Sequence, residues 1–284
     1  MFISSVVQYT TNFEPDTVIN LISSFFCYLL AMILVNRMVK KNEITSYNTL
    51  TIVLFTFLIS LFPYGLINPA ISIANLFMVL AIYFITSLSN LRYHKSKILN
   101  ASICVGIATL AYSWCIFTLI LIYVGIWYYG RKEYRNWLIP FVGLGVVAMM
   151  SLCFHLVVYN DWTVFDVASL QVSASSVNFQ FSAQEIFGIA SFILCSLFFL
   201  AIYIYRFKKR LTRLKPILAL FIWYYIVTLL IVLVFAEQKS ISILLATPAL
   251  AIIGTSYLEL KQNKLITETT LWVIMLLPFF GYLI

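Results

Sequence analysis

The sequence predicts an all-α protein that crosses a membrane many times, with about ten transmembrane helices in a single embedded domain. Of its 284 residues, 63% are hydrophobic and only 10% are charged, whereas a soluble domain carries about 25% charged residues. Every Lys and Arg except Lys239 falls into one of five short clusters, and long apolar stretches separate these clusters. A chain of this composition could not keep a solvated surface, so we expect it to lie in a bilayer.

The basic clusters predict which segments face the cytoplasm. Short loops rich in Lys and Arg mark the cytoplasmic side of a membrane protein. The apolar stretches between clusters are long enough to cross, because about 20 residues cover a core of ~30 Å. Topology and contact with anionic lipid explain the net charge of +8, so nucleic acid is not predicted as a partner. The expected cytoplasmic loops are 37–47, 90–97, 131–136, 206–215 and 259–267.

The opposite face carries acids and lacks clustered basic residues. The N-terminal segment 1–16 and the loop 160–184 contain Asp or Glu but neither Lys nor Arg, so both are expected outside. The last span, 268–284, leads outward, which puts both termini on the outer side of the membrane. The other predicted spans outside 98–130 are 17–36, 48–66, 70–89, 137–159, 185–205, 216–236 and 240–258.

One apolar block conflicts with a simple count of crossings. Residues 98–130 form 33 uninterrupted residues between two basic clusters. A hairpin of two short helices, about 99–112 and 115–129, keeps both clusters inside, and its turn should lie near Tyr112-Ser113-Trp114. Each arm of ~16 residues would extend ~24 Å. The alternative is a single long tilted helix that violates the charge rule.

Carboxylates on the outer face are the candidate catalytic groups. Glu14 and Asp16 precede the first span, Asp161 opens the long outer loop, and Glu185 follows that loop. Such acids can act as a general base or bind a divalent metal. They could equally be solvated loop acids, and Asp16 could cap the first helix. The sequence holds no metal-spaced His or Cys cluster, so neither a metal site nor a cofactor is predicted.

Other polar residues are candidates for substrate binding. Asn160 and Trp162 flank Asp161 at the predicted membrane surface, where aromatic residues also serve as interfacial anchors. His155 lies inside a predicted span, and an intramembrane ionisable group suggests a functional site. A neutral histidine that bonds a neighbouring helix is the alternative.

The order of features resembles the GT-C type of polyprenyl-phosphate-dependent glycosyltransferases over residues 45–165. Ser60-Leu61-Phe62-Pro63 ends a span, and Asn68-Pro69 opens the next. Gly106-Ile107-Ala108 is similar to the Gly-Leu-Ala helical hairpin of that fold, and NWLIPFVGLGVV leads to a span that closes at VVYND. The same stretches are similar to uncharacterised multi-spanning bacterial inner-membrane proteins without an assigned activity.

The resemblance implies transfer of a sugar from a polyprenyl-phosphate-linked donor at the outer leaflet. Glu14 or Asp16 would activate the acceptor hydroxyl with help from Asp161. The lipid carrier would enter near the hairpin turn, which makes Ser113 and Trp114 candidate substrate-binding residues. The chain departs from the family because no span precedes its first acids and Tyr112 replaces the hairpin's usual Lys. A non-catalytic subunit of an envelope complex and a small-molecule transporter are the alternative functions.

Overall fold

The structure, a computed structural model, describes residues 15–42, 44, 49–66, 68–89, 93–130, 133–159, 183–207, 215–235, 239–258 and 264–283. Within these ranges every regular element is helical, which confirms the predicted all-α class. The α-helices are α1 Pro15–Lys41, α2 Leu50–Ser60, α3 Pro69–Thr86, α4 His94–Ala111, α5 Leu119–Tyr129, α6 Arg135–Tyr159, α7 Ala183–Phe207, α8 Lys215–Leu230, α9 Lys239–Ser242, α10 Thr247–Leu258 and α11 Lys264–Leu283. Short 3₁₀ or π segments are Pro63–Leu66, Ser87–Ser89, Ser113–Thr118, Ile231–Phe235 and Ile243–Ala246.

Five helices in the described ranges are long and apolar enough to cross a membrane. They are Val18–Lys41, Pro69–Ser89, Arg135–Val158, Ala183–Tyr205 and Lys215–Val234. Several other helices are apolar but shorter; α2, with 11 residues, extends only ~17 Å, less than the ~30 Å core of a bilayer. The apolar helices indicate a membrane protein, and the count of ten transmembrane helices stays a prediction.

Lysines from two helices, α1 and α4, meet at one end of the helix bundle. The Nζ of Lys41, in the last turn of α1, donates to the Tyr83 hydroxyl of α3 at 3.1 Å. The Nζ of Lys97, in the first turns of α4, donates to the Ser87 carbonyl at 2.7 Å. We term this region the basic end; it comprises Lys41, Tyr83, Ser87, His94, Lys95, Lys97 and Glu133.

The segment 98–130 leaves the basic end and returns to it. Lys95 precedes the segment and Glu133 follows it, yet their side chains form an ion pair with 3.2 Å between Nζ and Oε2. Helix α4 ends at Ala111, and Tyr112 is extended, with φ −145° and ψ 105°. A 3₁₀ segment then leads into α5. The predicted hairpin is therefore confirmed, and the single long helix is wrong.

Small residues set the contact between α4 and α6. A Cβ at Gly106 would lie 2.9 Å from the Val147 side chain, and a Cβ at Gly143 would overlap the Ser102 side chain. The two contacts advance in the same direction along both helices, so α4 and α6 run parallel. Because α4 and α6 are parallel, the end of α4 and the start of α6 lie at opposite ends of the pair. The chain must run back along their length between them, and α5 provides this connection.

Gly143 and Gly145 provide a matched test of this contact. Gly143→Ala would place a Cβ 2.7 Å from Ser102 Cβ and 3.3 Å from the Leu99 carbonyl oxygen, whereas Gly145→Ala would meet nothing within 4 Å. Overpacking costs about 1–3 kcal/mol, and Ala gains about 1 kcal/mol over Gly in a helix. We expect Gly143→Ala to lower and Gly145→Ala to raise the thermal unfolding midpoint in detergent. Equal midpoints for both variants would contradict the contact.

Helix α10 lies inside the helix bundle, enclosed by helices from both halves of the chain. All of its residues are buried, and it contacts α2, α7 and α8. A Cβ at Gly254 would lie 3.0 Å from the Phe199 ring and 3.1 Å from Leu54, so these helices pack closely around it. The predicted span 240–258 is interrupted: α9, a 3₁₀ segment and α10 follow one another.

Several helices continue beyond the predicted apolar spans. Helix α1 includes the basic cluster up to Lys41, where cations in the last turn favour the helix dipole. It also begins at Pro15, a residue type suited to a first helical position, so Asp16 lies in the first turn and is not the N-cap. Helix α7 begins at Ala183, inside the predicted outer loop 160–184, and α11 begins at Lys264, inside the predicted loop 259–267.

Candidate functional site

A pocket lies at the end of the bundle opposite the basic end. Helix α3 finishes at the basic end, so the turn that precedes α3 lies at the other. The pocket is a small cleft, partly open at the surface, with a cavity volume of about 10 Å³. We term it the Phe62 pocket; its lining comprises Leu61, Phe62, Pro63, Gly65, Gln184, Glu185 and Ile241.

The turn between α2 and α3 forms one wall of the pocket. Asn68 caps α3, because its Oδ1 accepts hydrogen bonds from the backbone N–H groups of Ala70 and Ile71 at 3.1 and 3.5 Å. The Gly65 carbonyl accepts a hydrogen bond from the Tyr28 hydroxyl at 3.5 Å. A Cβ at Gly65 would overlap the end of the Leu244 side chain, so an alanine at this position would require that side chain to shift.

Helix α7 provides the opposite wall and the acid. Glu185 is half-buried in the first turn of α7. Among the described residues, it is the acid that lines the pocket. One turn later, a Cβ at Gly188 would lie 2.9 Å from the Leu61 carbonyl oxygen and 3.3 Å from the Phe62 ring. The close approach of α7 therefore depends on Gly188. A carboxylate in this position also stabilises the positive end of the helix dipole.

The hairpin break adjoins the same pocket. The Tyr112 hydroxyl lies 3.3 Å from Ser242 Oγ, and Ser242 directly follows Ile241 of the pocket lining. The region thus combines a carboxylate, the Gln184 amide and two hydroxyl groups beside an aromatic ring. The carboxylate can take a proton from a hydroxyl, and the amide and hydroxyl groups can donate or accept hydrogen bonds.

The predicted site residues are only partly described. Glu14, Asn160, Asp161 and Trp162 lie outside the described residues, and so does the side chain of Asp16. The assignment of a catalytic role to these acids stays a prediction.

The described candidates do not line the Phe62 pocket. His155 is half-buried on α6, a helix whose side chains mostly face outward. Ser113 is half-buried at the first position of the 3₁₀ segment. Trp114 stacks on Phe117 with 6.4 Å between ring centroids. The predicted role of these three residues in substrate binding stays a prediction.

A second group of polar side chains is enclosed inside the bundle. Asn75 and Tyr224 are fully buried, and neither the Asn75 amide nor the Tyr224 hydroxyl has a hydrogen-bond partner among the described residues. Met78, one turn after Asn75, has its Sδ 3.5 Å from Cys115 Sγ, and the segment that carries Cys115 contacts α8, the helix that carries Tyr224. We term these four residues the Asn75 cluster. It lies beside the hairpin break, since Cys115 belongs to the 3₁₀ segment.

The basic end has a distinct electrostatic character. Burial and the nearby Lys97 ammonium lower the pKa of His94, and Glu133 partly offsets this effect. Burial and then Lys41 lower the pKa of Lys97. The Lys41 and Lys97 ammonium groups therefore lie close enough to repel each other. Among the described residues no group of three or more His, Cys, Asp or Glu could hold a metal ion.

Comparison with known proteins gives one match. A model of a family of unknown function, DUF6427, matches residues 1–283. No curated protein and no solved structure matches the chain at a significant level.

Proposed function

The chain belongs to the family of unknown function DUF6427, and we propose that it is a GT-C-like membrane glycosyltransferase that works at the Phe62 pocket. The donor would be a polyprenyl-phosphate-linked sugar, and the acceptor a lipid-linked or envelope glycan. In this proposal the basic end faces the cytoplasm of a bacterial cell. The Phe62 pocket then opens at the outer leaflet of the inner membrane, on the same side as both termini.

The convergence of Glu185 and the hairpin turn on one pocket supports this proposal. Glu185 lines the pocket, and Tyr112 reaches the neighbouring Ser242. Glu185 would take the proton of the acceptor hydroxyl, which needs a carboxylate within hydrogen-bond reach. Glu14, Asp16 and Asp161, predicted on the same side, are the other candidate carboxylates. A lipid carrier would approach beside the hairpin, near Ser113 and Trp114.

A transfer assay tests the proposal directly. The purified protein would be reconstituted in liposomes that contain polyprenyl-phosphate-linked sugars. Transfer of the sugar to added acceptor glycans would be measured. The wild type should transfer sugar, and a variant that lacks the essential carboxylate should not. The panel would comprise Glu14→Gln, Asp16→Asn, Asp161→Asn and Glu185→Gln. Absence of transfer by the wild type with every donor would overturn the proposal.

The Asn75 cluster favours a second candidate function, the passage of a small uncharged polar solute. An amide without partners inside an apolar bundle costs about 1–3 kcal/mol. A solute that hydrogen-bonds to the Asn75 amide and the Tyr224 hydroxyl would offset this cost while it crosses. The candidate predicts uptake that depends on Asn75.

Asn75→Leu separates this candidate from a purely structural role. Because the substitution removes a buried amide that lacks partners in the described structure, we expect the free energy of unfolding to rise by about 1–3 kcal/mol. Solute uptake into proteoliposomes should be lost. Ser72→Ala is the control, since Ser72 lies one turn away on α3 and its hydroxyl donates to Ser24 Oγ at 3.2 Å. Uptake that survives Asn75→Leu would exclude the candidate.

A further inference from the structure

We propose that Lys41, Tyr83 and Lys97 form a binding site for a phosphate-bearing anion at the basic end. The headgroup of an anionic membrane lipid and free inorganic phosphate share this chemistry. The site lies at the opposite end of the bundle from the Phe62 pocket, so the inference does not depend on the proposed function.

Lys41 and Tyr83 provide two donors with a fixed relation. Lys41 Nζ lies 3.1 Å from the Tyr83 hydroxyl oxygen and 4.6 Å from the centroid of the same ring. Because the hydroxyl oxygen accepts this hydrogen bond, its own O–H is directed elsewhere and can donate to an oxyanion. The aromatic face also restricts the ammonium through a cation–π contact. An anion that binds here therefore meets donors that are already oriented.

Lys97 brings a second positive charge to the same place. Its Nζ donates to the Ser87 carbonyl at 2.7 Å, and Ser87 lies one turn beyond Tyr83. Residues one turn apart on a helix are neighbours at about 6 Å. Lys41 contributes to the lowered pKa of Lys97, which agrees with this proximity. Two ammonium groups at this separation repel each other, and a bound anion removes the repulsion.

The acid at the basic end is paired with a different lysine. Glu133 forms its ion pair with Lys95 at 3.2 Å. Among the carboxylates that the structure describes, none forms an ion pair with Lys41. A ligand can therefore supply a counter-charge to Lys41 without displacing a described carboxylate. A phosphate group fits because it offers several acceptor oxygens to donors from α1, α3 and α4.

The neighbouring Lys40 provides a control of equal charge. It lies in the same last turn of α1, so Lys40→Gln changes the net charge of the basic end as much as Lys41→Gln does. Diffuse attraction to an anionic surface depends on charge alone. Binding at a defined site depends on which of the two lysines is removed. Lys41→Arg keeps the charge and the contact with the aromatic ring.

Binding would be measured on the purified protein in detergent with short-chain phosphatidylglycerol, short-chain phosphatidylcholine and inorganic phosphate as separate probes. The dissociation constant would come from the ligand dependence of the unfolding midpoint, with retained lipid checked by native mass spectrometry. We expect Lys41→Gln and Lys97→Gln each to weaken phosphatidylglycerol binding by about fivefold or more. Lys40→Gln and Lys41→Arg should stay within about twofold of the wild type.

The two phosphate sources give different results. If inorganic phosphate competes and shows the same dependence on Lys41, the site takes a soluble phosphate; if only phosphatidylglycerol binds, it takes a lipid headgroup. Either result supports the site. An equal loss for Lys40→Gln and Lys41→Gln, equal affinity for phosphatidylcholine, or no effect of any substitution would overturn it. Lys41 is exposed, so its variants should fold, and their midpoints without ligand check this.

Discussion

Glu185→Gln is expected to lower sugar transfer by about 100-fold, because a general base contributes 10²- to 10⁴-fold to a rate. The substitution keeps the size and shape of the side chain and removes the charge that would accept a proton. Glu185 also lies in the first turn of α7, where loss of the charge costs about 0.3–1 kcal/mol. This small loss of stability would leave the protein folded at assay temperature. The measurement is the initial rate of transfer in proteoliposomes.

Glu268→Gln is the matched control for this experiment. Glu268 is an exposed acid of α11 and does not line the Phe62 pocket. Its substitution should leave the rate unchanged. Transfer that survives Glu185→Gln but disappears with Glu14→Gln, Asp16→Asn or Asp161→Asn would move the base to the N-terminal segment or the long loop. If the protein still functions in cells when each of these four acids is substituted, the result would favour the hypothesis of a non-catalytic subunit of an envelope complex.

Cysteines placed at Lys95 and Glu133 are expected to react with a membrane-impermeant maleimide from the same side of the membrane. The two side chains form an ion pair at 3.2 Å, although the whole segment 98–130 lies between them. A cysteine at Gln184, beside the Phe62 pocket, should react only from the opposite side. The expected result is all-or-none for each position, so labelling of intact cells and of inverted vesicles separates the two faces clearly.

The unsubstituted protein serves as the blank in this experiment. Its free cysteines are Cys27, Cys104, Cys115, Cys153 and Cys195, and all lie within apolar helices or the hairpin break, where the reagent should not enter. Labelling of the Lys95 and Glu133 positions from opposite sides would contradict the hairpin. Each variant should also keep the unfolding midpoint of the parent, which excludes labelling of misfolded protein.

The hairpin could be predicted from the sequence because its causes are local. Two basic clusters bound one apolar block, and the cost of moving a cluster across the membrane requires the chain to turn back. The predicted turn near Tyr112-Ser113-Trp114 coincides with the extended Tyr112 and the start of the 3₁₀ segment. The predicted helix boundaries were less accurate, because hydropathy marks the apolar core and not the last hydrogen-bonded turn.

The Phe62 pocket could not be predicted in the same way. Its walls come from the turn at Phe62, the first turn of α7 at Glu185 and the short helix at Ile241. These segments are far apart in sequence, and only tertiary packing brings them together. The sequence predicts Glu185 on the outer face together with several other acids, and nothing local distinguishes it from them. Gly188, one turn later, is the one nearby signal, since a small residue permits the close approach to Leu61.

The central position of α10 has a consequence for how the protein is made. Helix α10 has 12 residues and extends only ~18 Å, less than the ~30 Å core of a bilayer, so it would be poorly accommodated if it entered the bilayer alone. The helices that it contacts include α1, α2, α7 and α8, and these precede it in the chain. A ribosome therefore synthesises the walls before the helix that fills the space between them. Because of this order of synthesis, α10 can pack against these helices when it is inserted and need not remain alone in the lipid.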